Sequence, residues 1–107
     1  MKRFNIRDFY QEKYKEYIIG SKEIEKHSVY LVYGEVPSNE TRRMESDGHD
    51  EILFLLSGEA ALENEDTKTV LKKEQAVYMG PDEAFSFTAL MDCRYVIAGT
   101  HPVPHAH

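Results

Sequence analysis

Four side chains close together in this sequence could do chemistry: Glu45, Asp47, His49 and Glu51, set around the dipeptide Asp47-Gly48. Asp-Gly is a strong tight-turn signal, because glycine adopts the positive φ that such turns require. The turn would gather these groups at the mouth of the segment that follows. Three carboxylates and one imidazole can bind a divalent cation, and their hard oxygens suit manganese or magnesium better than the imidazole-rich sets favoured by zinc or copper. Without that chemistry, the same residues are a solvated acidic turn. A catalytic metal normally takes three protein ligands with supporting groups behind them, so convergence of these side chains decides between the two readings. Glu51 stands apart because it borders an apolar run, where a buried carboxylate needs a donor such as Arg42 or Arg43.

The element that must position these groups is the unbroken apolar run at residues 52–56. It is too short for a convincing helix, contains neither Gly nor Pro, and lacks the alternation of a strand with one wet face, which predicts a buried strand covered on both faces. Ser57 and Gly58 end it, and Ala60 to Leu62 begins another. Residues 28–36 are rich in β-branched and aromatic side chains and are closed by Pro37, which predicts a second strong strand. Further strands are expected at 41–45, 60–63, 67–71, 75–79, 85–90 and 93–98. Short strands in this rhythm, without amphipathic helices between them, argue for a sandwich or barrel. Residues 1–27 carry two patterns. Asp8 with Gln11 could cap a helix that stops at Gly20, or residues 17–19 could be a strand turning there. The reading adopted is one short helical turn near residues 8–14 followed by extended chain.

At 107 residues the chain is one domain, and its 41% hydrophobic and 30% charged residues place it among ordinary globular proteins. No apolar run approaches a membrane span, and the basic start has no long apolar segment behind it, so no signal peptide is read and the cytoplasm is the default location. A net charge of -6 argues against a nucleic-acid partner, for which Arg42 and Arg43 alone make too small a patch. The single cysteine, Cys93, excludes an internal disulfide. It reads as a packed small residue, since Arg94 beside it points to the opposite face of a strand. His101, His105 and His107 lie in a tail that Pro102 and Pro104 keep out of any ladder, and that tail reads as a flexible end. His27, among charged residues, is expected at the surface. No Gly-x-Ser-x-Gly elbow is present, which argues against a serine hydrolase.

Around residues 45–58 and 77–89 the chain resembles the cupins. The first motif of that family has two His separated by one residue, a Glu after three or four more, and a Gly seven positions beyond it. Glu51 and Gly58 hold that last spacing. The two His positions fall on Glu45 and Asp47, or on Met44 and Ser46 with the longer spacing. The second motif is a Pro-x-Gly turn with a His three residues after the Gly. Pro81 matches it, while Glu83 falls on the Gly and Ser86 on the His. Three of the four usual metal ligands are therefore replaced.

The resemblance implies an all-β, cupin-like double-stranded β-helix (jelly-roll) barrel over residues 28–99, with a short irregular or helical extension at 1–27 packing on it and a His/Pro tail at 100–107. The function expected from it is binding of an unidentified small molecule in the barrel pocket, with Tyr78 and Tyr95 lining the pocket and Glu51 and Ser86 as polar anchors. The alternative is a metal-dependent enzyme of the oxygenase, isomerase or decarboxylase kinds, using Glu45, Asp47, His49 and Glu51. No cofactor is specified beyond that candidate divalent ion. An inward Ser86 would turn Phe85 and Phe87 outward. Together with the two-faced strand at 52–56, and with the frequent pairing of cupins, this predicts a homodimer.

Overall fold

Apolar and polar side chains alternate through the long strands of this chain, and the two sheets they build turn their apolar faces toward each other. The computed structural model describes residues 1–101, which leaves His105 and His107 of the tail outside the described residues. A 3-10 turn at Ile6–Phe9 leads into strands β1 (Tyr10–Gln11) and β2 (Glu16–Ile19), and a short helix α1 (Ser21–Ile24) follows. The main body comprises β3 (Val29–Val36), β4 (Thr41–Glu45), β5 (Asp50–Ser57), β6 (Glu59–Glu63), β7 (Lys68–Lys72), β8 (Ala76–Met79), β9 (Ala84–Ala89) and β10 (Cys93–Thr100). One sheet has the order β1-β2-β3-β10-β5-β8 and the other β4-β9-β6-β7, and every pairing is antiparallel. Between them lies a core that includes Leu53, Leu55, Phe87 and Tyr95, each 0% exposed. This is a jelly-roll arrangement, all-β as expected.

The N-terminal segment departs from the expected helical turn at residues 8–14. Helical geometry comes earlier, where Asn5 Oδ1 accepts from the Arg7 amide at 3.2 Å. Tyr10–Gln11 and Glu16–Ile19 then form a hairpin that closes at Lys15 (φ 55) and extends the larger sheet alongside β3. Gly20 starts a helix instead of stopping one, its amide donating to Glu23 Oε1 at 2.7 Å. Arg7 fastens the segment to β3 through paired 2.9 Å bonds to both oxygens of Glu35.

Two expectations about facing are corrected. Phe85 and Phe87 point inward, at 7% and 0% exposed, and Ser86 points outward, where its hydroxyl donates to the Glu63 carbonyl at 3.2 Å. The motif count had placed Ser86 inside; burying two phenyl groups outweighs burying one hydroxyl, and that preference sets the face of β9. The run at 52–56 has one face covered within this chain: Leu53 and Leu55 are buried, whereas Ile52 is 51% exposed.

Two glycines inside strands are explained by tyrosine rings. In the β3–β10 pairing, Tyr30 sits opposite Gly99 and Gly34 opposite Tyr95. A Cβ built on Gly34 would lie 2.2 Å from Cζ of Tyr95, and one built on Gly99 would lie 2.4 Å from Cζ of Tyr30. Each ring therefore lies across the neighbouring strand, over its glycine, and reaches the strand beyond. There the Tyr95 hydroxyl donates to Glu16 on β2, and the Tyr30 hydroxyl donates to Glu51 on β5. Gly34→Ala and Gly99→Ala should each destabilise the fold by about 1–3 kcal/mol in denaturant unfolding, because a packed ring, buried at Tyr95 and partly buried at Tyr30, has to move. Gly20→Ala is the control, since its added methyl meets nothing closer than 3.7 Å. Stability within about 0.5 kcal/mol of wild type at both strand positions would contradict the crossing geometry.

Candidate functional site

The crossing tyrosines hold two carboxylates at the walls of a cleft of about 430 Å³ at the open end of the barrel. Val32, Met44, Met79 and Ile97 give it an apolar floor, and Glu16, Glu51 and Tyr95 give it polar walls. Alternation along β2 and β5 puts Glu16 on the face of Ile18, and Glu51 on the face of Leu53 and Leu55. Lys13 and Tyr14 come to the rim from the β1–β2 turn, and Arg43, Glu45 and Asp47 come from β4 and the loop after it.

Burial dominates the electrostatics. Desolvation raises the pKa of Glu16; the Tyr95 hydrogen bond and the charge of Arg42 oppose the rise, and the charge of Glu51 adds to it. Desolvation also raises Glu51, against the Tyr30 hydrogen bond and the charge of His49. The same effect, reinforced by the carboxylate each faces, keeps the Tyr30 and Tyr95 phenols protonated far above their ordinary range. Arg42 is near Glu16 but otherwise engaged: its Nε donates to Glu40 at 2.7 Å and its Nη1 to the Lys15 carbonyl at 3.2 Å.

Of the residues expected at the site, Glu51 (8% exposed) and Tyr95 line the cleft. Tyr78 does not. It lies 57% exposed on the outer face and donates to Asp50 Oδ1 at 2.5 Å, while Met79, the next residue along the strand, turns inward. Ser86 is likewise on the outside, beside Arg43 and Glu63 at a separate surface depression. Glu45 is exposed at the rim and paired with Arg43 at 2.7 Å, because alternation in β4 sends Met44 inward and both its neighbours outward. Asp47 is exposed in the turn at φ 51. His49 sets its ring edge-on to Tyr30, with centroids 5.3 Å apart.

The four candidate metal ligands are thus spread over a rim, a turn and an interior wall. Among the described residues no group of three or more His, Cys, Asp or Glu is placed to hold a metal ion. Of the Glu and three His that the resemblance to cupins implies, this site offers Glu51 alone, so its donor set does not fit that kind of resident metal. The imidazoles that do meet lie beside Tyr30, where His49 packs edge-on to His101 with centroids 5.1 Å apart. His101, read as part of a free end, stacks on His27 at 3.8 Å with an interplanar angle of 24°, and its amide donates to the Ser28 carbonyl at 3.1 Å. Stacked rings present faces to one another, so their nitrogen lone pairs do not converge on a common ion.

Of two further residues that matter, one was not singled out and the other was named only as a replaced ligand position. Glu16 sits two positions before Ile18, a spacing that would have placed it indoors had the segment been read as a strand. Ser46, 0% exposed, ties the β4–β5 loop to the β8–β9 loop: its hydroxyl donates to the Gly80 carbonyl at 2.5 Å and its amide to the Glu83 carbonyl at 3.2 Å. The longer spacing of the first cupin motif falls on Met44 and Ser46, and both of these side chains are the buried ones.

No protein-family model matches this chain, and no curated protein matches it. Solved structures do. Ectoine synthase from P. lautus superposes with a TM-score of 0.76 at 12% identity, covering 96% of this chain and 80% of that one. The Cnp3 cupin domain of Schizosaccharomyces pombe gives 0.73 at 13% identity, covering 94% and 69%. A cupin superfamily protein from Desulfitobacterium hafniense gives 0.65 at 17% identity, covering 72% and 71%. The chain has the cupin fold. At these identities the likeness carries the architecture and leaves the chemistry to the residues of the cleft.

Because both interior carboxylates have pKa values raised by folding, the stability they contribute is fully present below the ordinary glutamate pKa and is lost as pH rises through the raised values. Glu16→Gln and Glu51→Gln, which keep an acceptor for the tyrosine, should each melt higher than wild type near neutral pH. The gap should close on acidification toward about pH 4. A gap that stays constant across that range in thermal denaturation would show that the carboxylates are not desolvated.

Proposed function

We propose that this chain is a binding module for a small molecule, seated in the cleft between the two sheets. The observation that carries the reading is the cleft itself: about 430 Å³, an apolar floor, and a few fixed polar groups with Glu51 and Tyr95 among them. That size and mixture is the usual makeup of small-molecule sites. The spread of Glu45, Asp47, His49 and Glu51 gives the metal-dependent alternative no converging donor set.

The methionines make a direct test. Met44 and Met79 are buried at the cleft, whereas Met1 and Met91 are exposed. With ¹³C-methyl-labelled methionine, a mixture of small amines, alcohols, carboxylic acids and sugars should contain compounds that shift the Met44 and Met79 resonances saturably and leave Met91 in place. Shifts confined to Met1 and Met91, or none at all, would refute the site.

A homodimer is proposed on a different observation. Leu31, Ala98, Ile52 and Tyr78 are paired in register across β3, β10, β5 and β8 and form an apolar row on the outer face of the larger sheet, with Leu31 40% and Ile52 51% exposed. The N-terminal strands extend that sheet sideways and leave the row uncovered. A second copy of the same self-complementary face would cover it. Light scattering at micromolar concentration should give a dimer mass, and Ile52→Glu should give a folded monomer. A monomeric wild type would overturn the proposal.

A further inference from the structure

The charges of the cleft do not balance, and the imbalance points to the class of ligand. Arg42 is paired with Glu40 and Arg43 with Glu45, each at 2.7 Å. That leaves Lys13 at the rim as the cleft's other basic group, against Glu16, Glu51 and Asp47. Among the described residues neither Glu16 nor Glu51 forms an ion pair, and each has a single hydrogen bond, from one tyrosine. Glu51 is the more telling of the two. It is 8% exposed and takes Tyr30 on Oε2, and its other oxygen has no protein donor among the described residues at the wall of the cleft.

A buried carboxylate without a cation is expensive unless something enters to pair with it. Glu16 and Glu51 belong to strands separated by β3 and β10, whose inward side chains Val32 and Ile97 form the apolar floor between them. The cleft therefore presents carboxylates on its walls with a methylene-compatible surface in the middle. An anionic ligand would meet both carboxylates, and each arginine at the cleft already carries a carboxylate partner of its own.

We propose that the ligand of this cleft is a small aliphatic cation, carrying one or more protonated nitrogens that pair with Glu16 and Glu51 while its carbon chain lies on Val32, Met79 and Ile97. This rests on the reading of the cleft as a ligand site and adds the charge and class of what it takes. The nitrogen donates charge-assisted hydrogen bonds to the oxygens that the tyrosines leave free. The tyrosines prevent the carboxylates from turning away. Binding should strengthen as pH rises through the carboxylate range, since only the ionised wall attracts the cation.

The test titrates the full chain, labelled at its methionine methyls, with 1,4-diaminobutane. Butanol and butanoate serve as neutral and anionic probes of like size, and magnesium chloride as an inorganic cation. The diamine should shift Met44 and Met79 saturably, bind about tenfold or more weakly to Glu16→Gln and to Glu51→Gln, and bind more tightly as pH rises. Should either variant fail to fold, the pH dependence in wild type decides alone, and a flat profile overturns the proposal. Butanol or butanoate binding the cleft as tightly as the diamine would leave a ligand site standing and remove the cation. Magnesium saturating it more tightly would assign the carboxylates to an inorganic ion and also overturn the proposal. If no probe moves Met44 or Met79, the ligand site falls along with its proposed ligand.

Discussion

Two tyrosines lying across two glycines are the constraint from which the rest of this molecule follows. Tyr95 crosses β3 at Gly34 to reach Glu16, and Tyr30 crosses β10 at Gly99 to reach Glu51. Because β3 and β10 are antiparallel neighbours, the two crossings run in opposite directions from adjacent strands. A glycine in a strand interior normally weakens it, and is kept where another group must approach the backbone closely. Here the approaching group is an aromatic ring, which fills the volume that the missing side chains would occupy and brings a hydroxyl to a carboxylate two strands away. The arrangement meets the donor requirement of a partly desolvated carboxylate without an ion pair. Each oxygen left over remains available to the cleft.

This changes the meaning of a cupin fold that lacks the usual imidazoles. The barrel still places Glu51 at its mouth, but the position is backed by a phenol, and a second carboxylate, Glu16, arrives from a hairpin at the N-terminus. The hairpin is part of the site: β2 supplies Glu16, and the β1–β2 turn supplies Lys13 and Tyr14. Its attachment through Arg7 to Glu35 is half-exposed, so that pair contributes modestly to stability and acts mainly to hold the hairpin in place. On the opposite side of the mouth, Ser46 joins the two loops by donating its hydroxyl to the Gly80 carbonyl and its amide to the Glu83 carbonyl, and so fixes the turn that carries Asp47.

The strands between residues 28 and 99 were legible because alternation, β-branched residues and turn glycines agree locally, and Gly58, at φ 94 with no room for a Cβ beside Asp92, is the turn residue its spacing suggested. Facing within β9 was misjudged because the motif count from Pro81 was followed in place of the side chains themselves: Phe85 and Phe87 decide the face, and Ser86 follows. Tyr78 was expected to line the pocket as an aromatic at the barrel mouth, but Met79 is the inward neighbour and Tyr78 faces out. Glu16 was missed because a capping pattern competed with a strand pattern over the same residues. The glycine crossings could not have been read at all. They depend on which residue of β10 stands opposite which residue of β3, and that register is set by pairing between residues that, at the two crossings, lie 61 and 69 positions apart.

Glu16 and Glu51 stand as desolvated walls of the cleft, each held by one tyrosine. Side-chain ¹³C NMR of the glutamate carboxyls, followed through a pH titration of the wild-type chain, measures this most directly. Both should titrate above the ordinary glutamate value, and Tyr95→Phe should raise Glu16 further while Tyr30→Phe does the same to Glu51, since each loses the hydrogen bond that favours its charged form. Two carboxyls titrating at the ordinary value, unmoved by either substitution, would mean that both are solvated and that the tyrosines do not hold them.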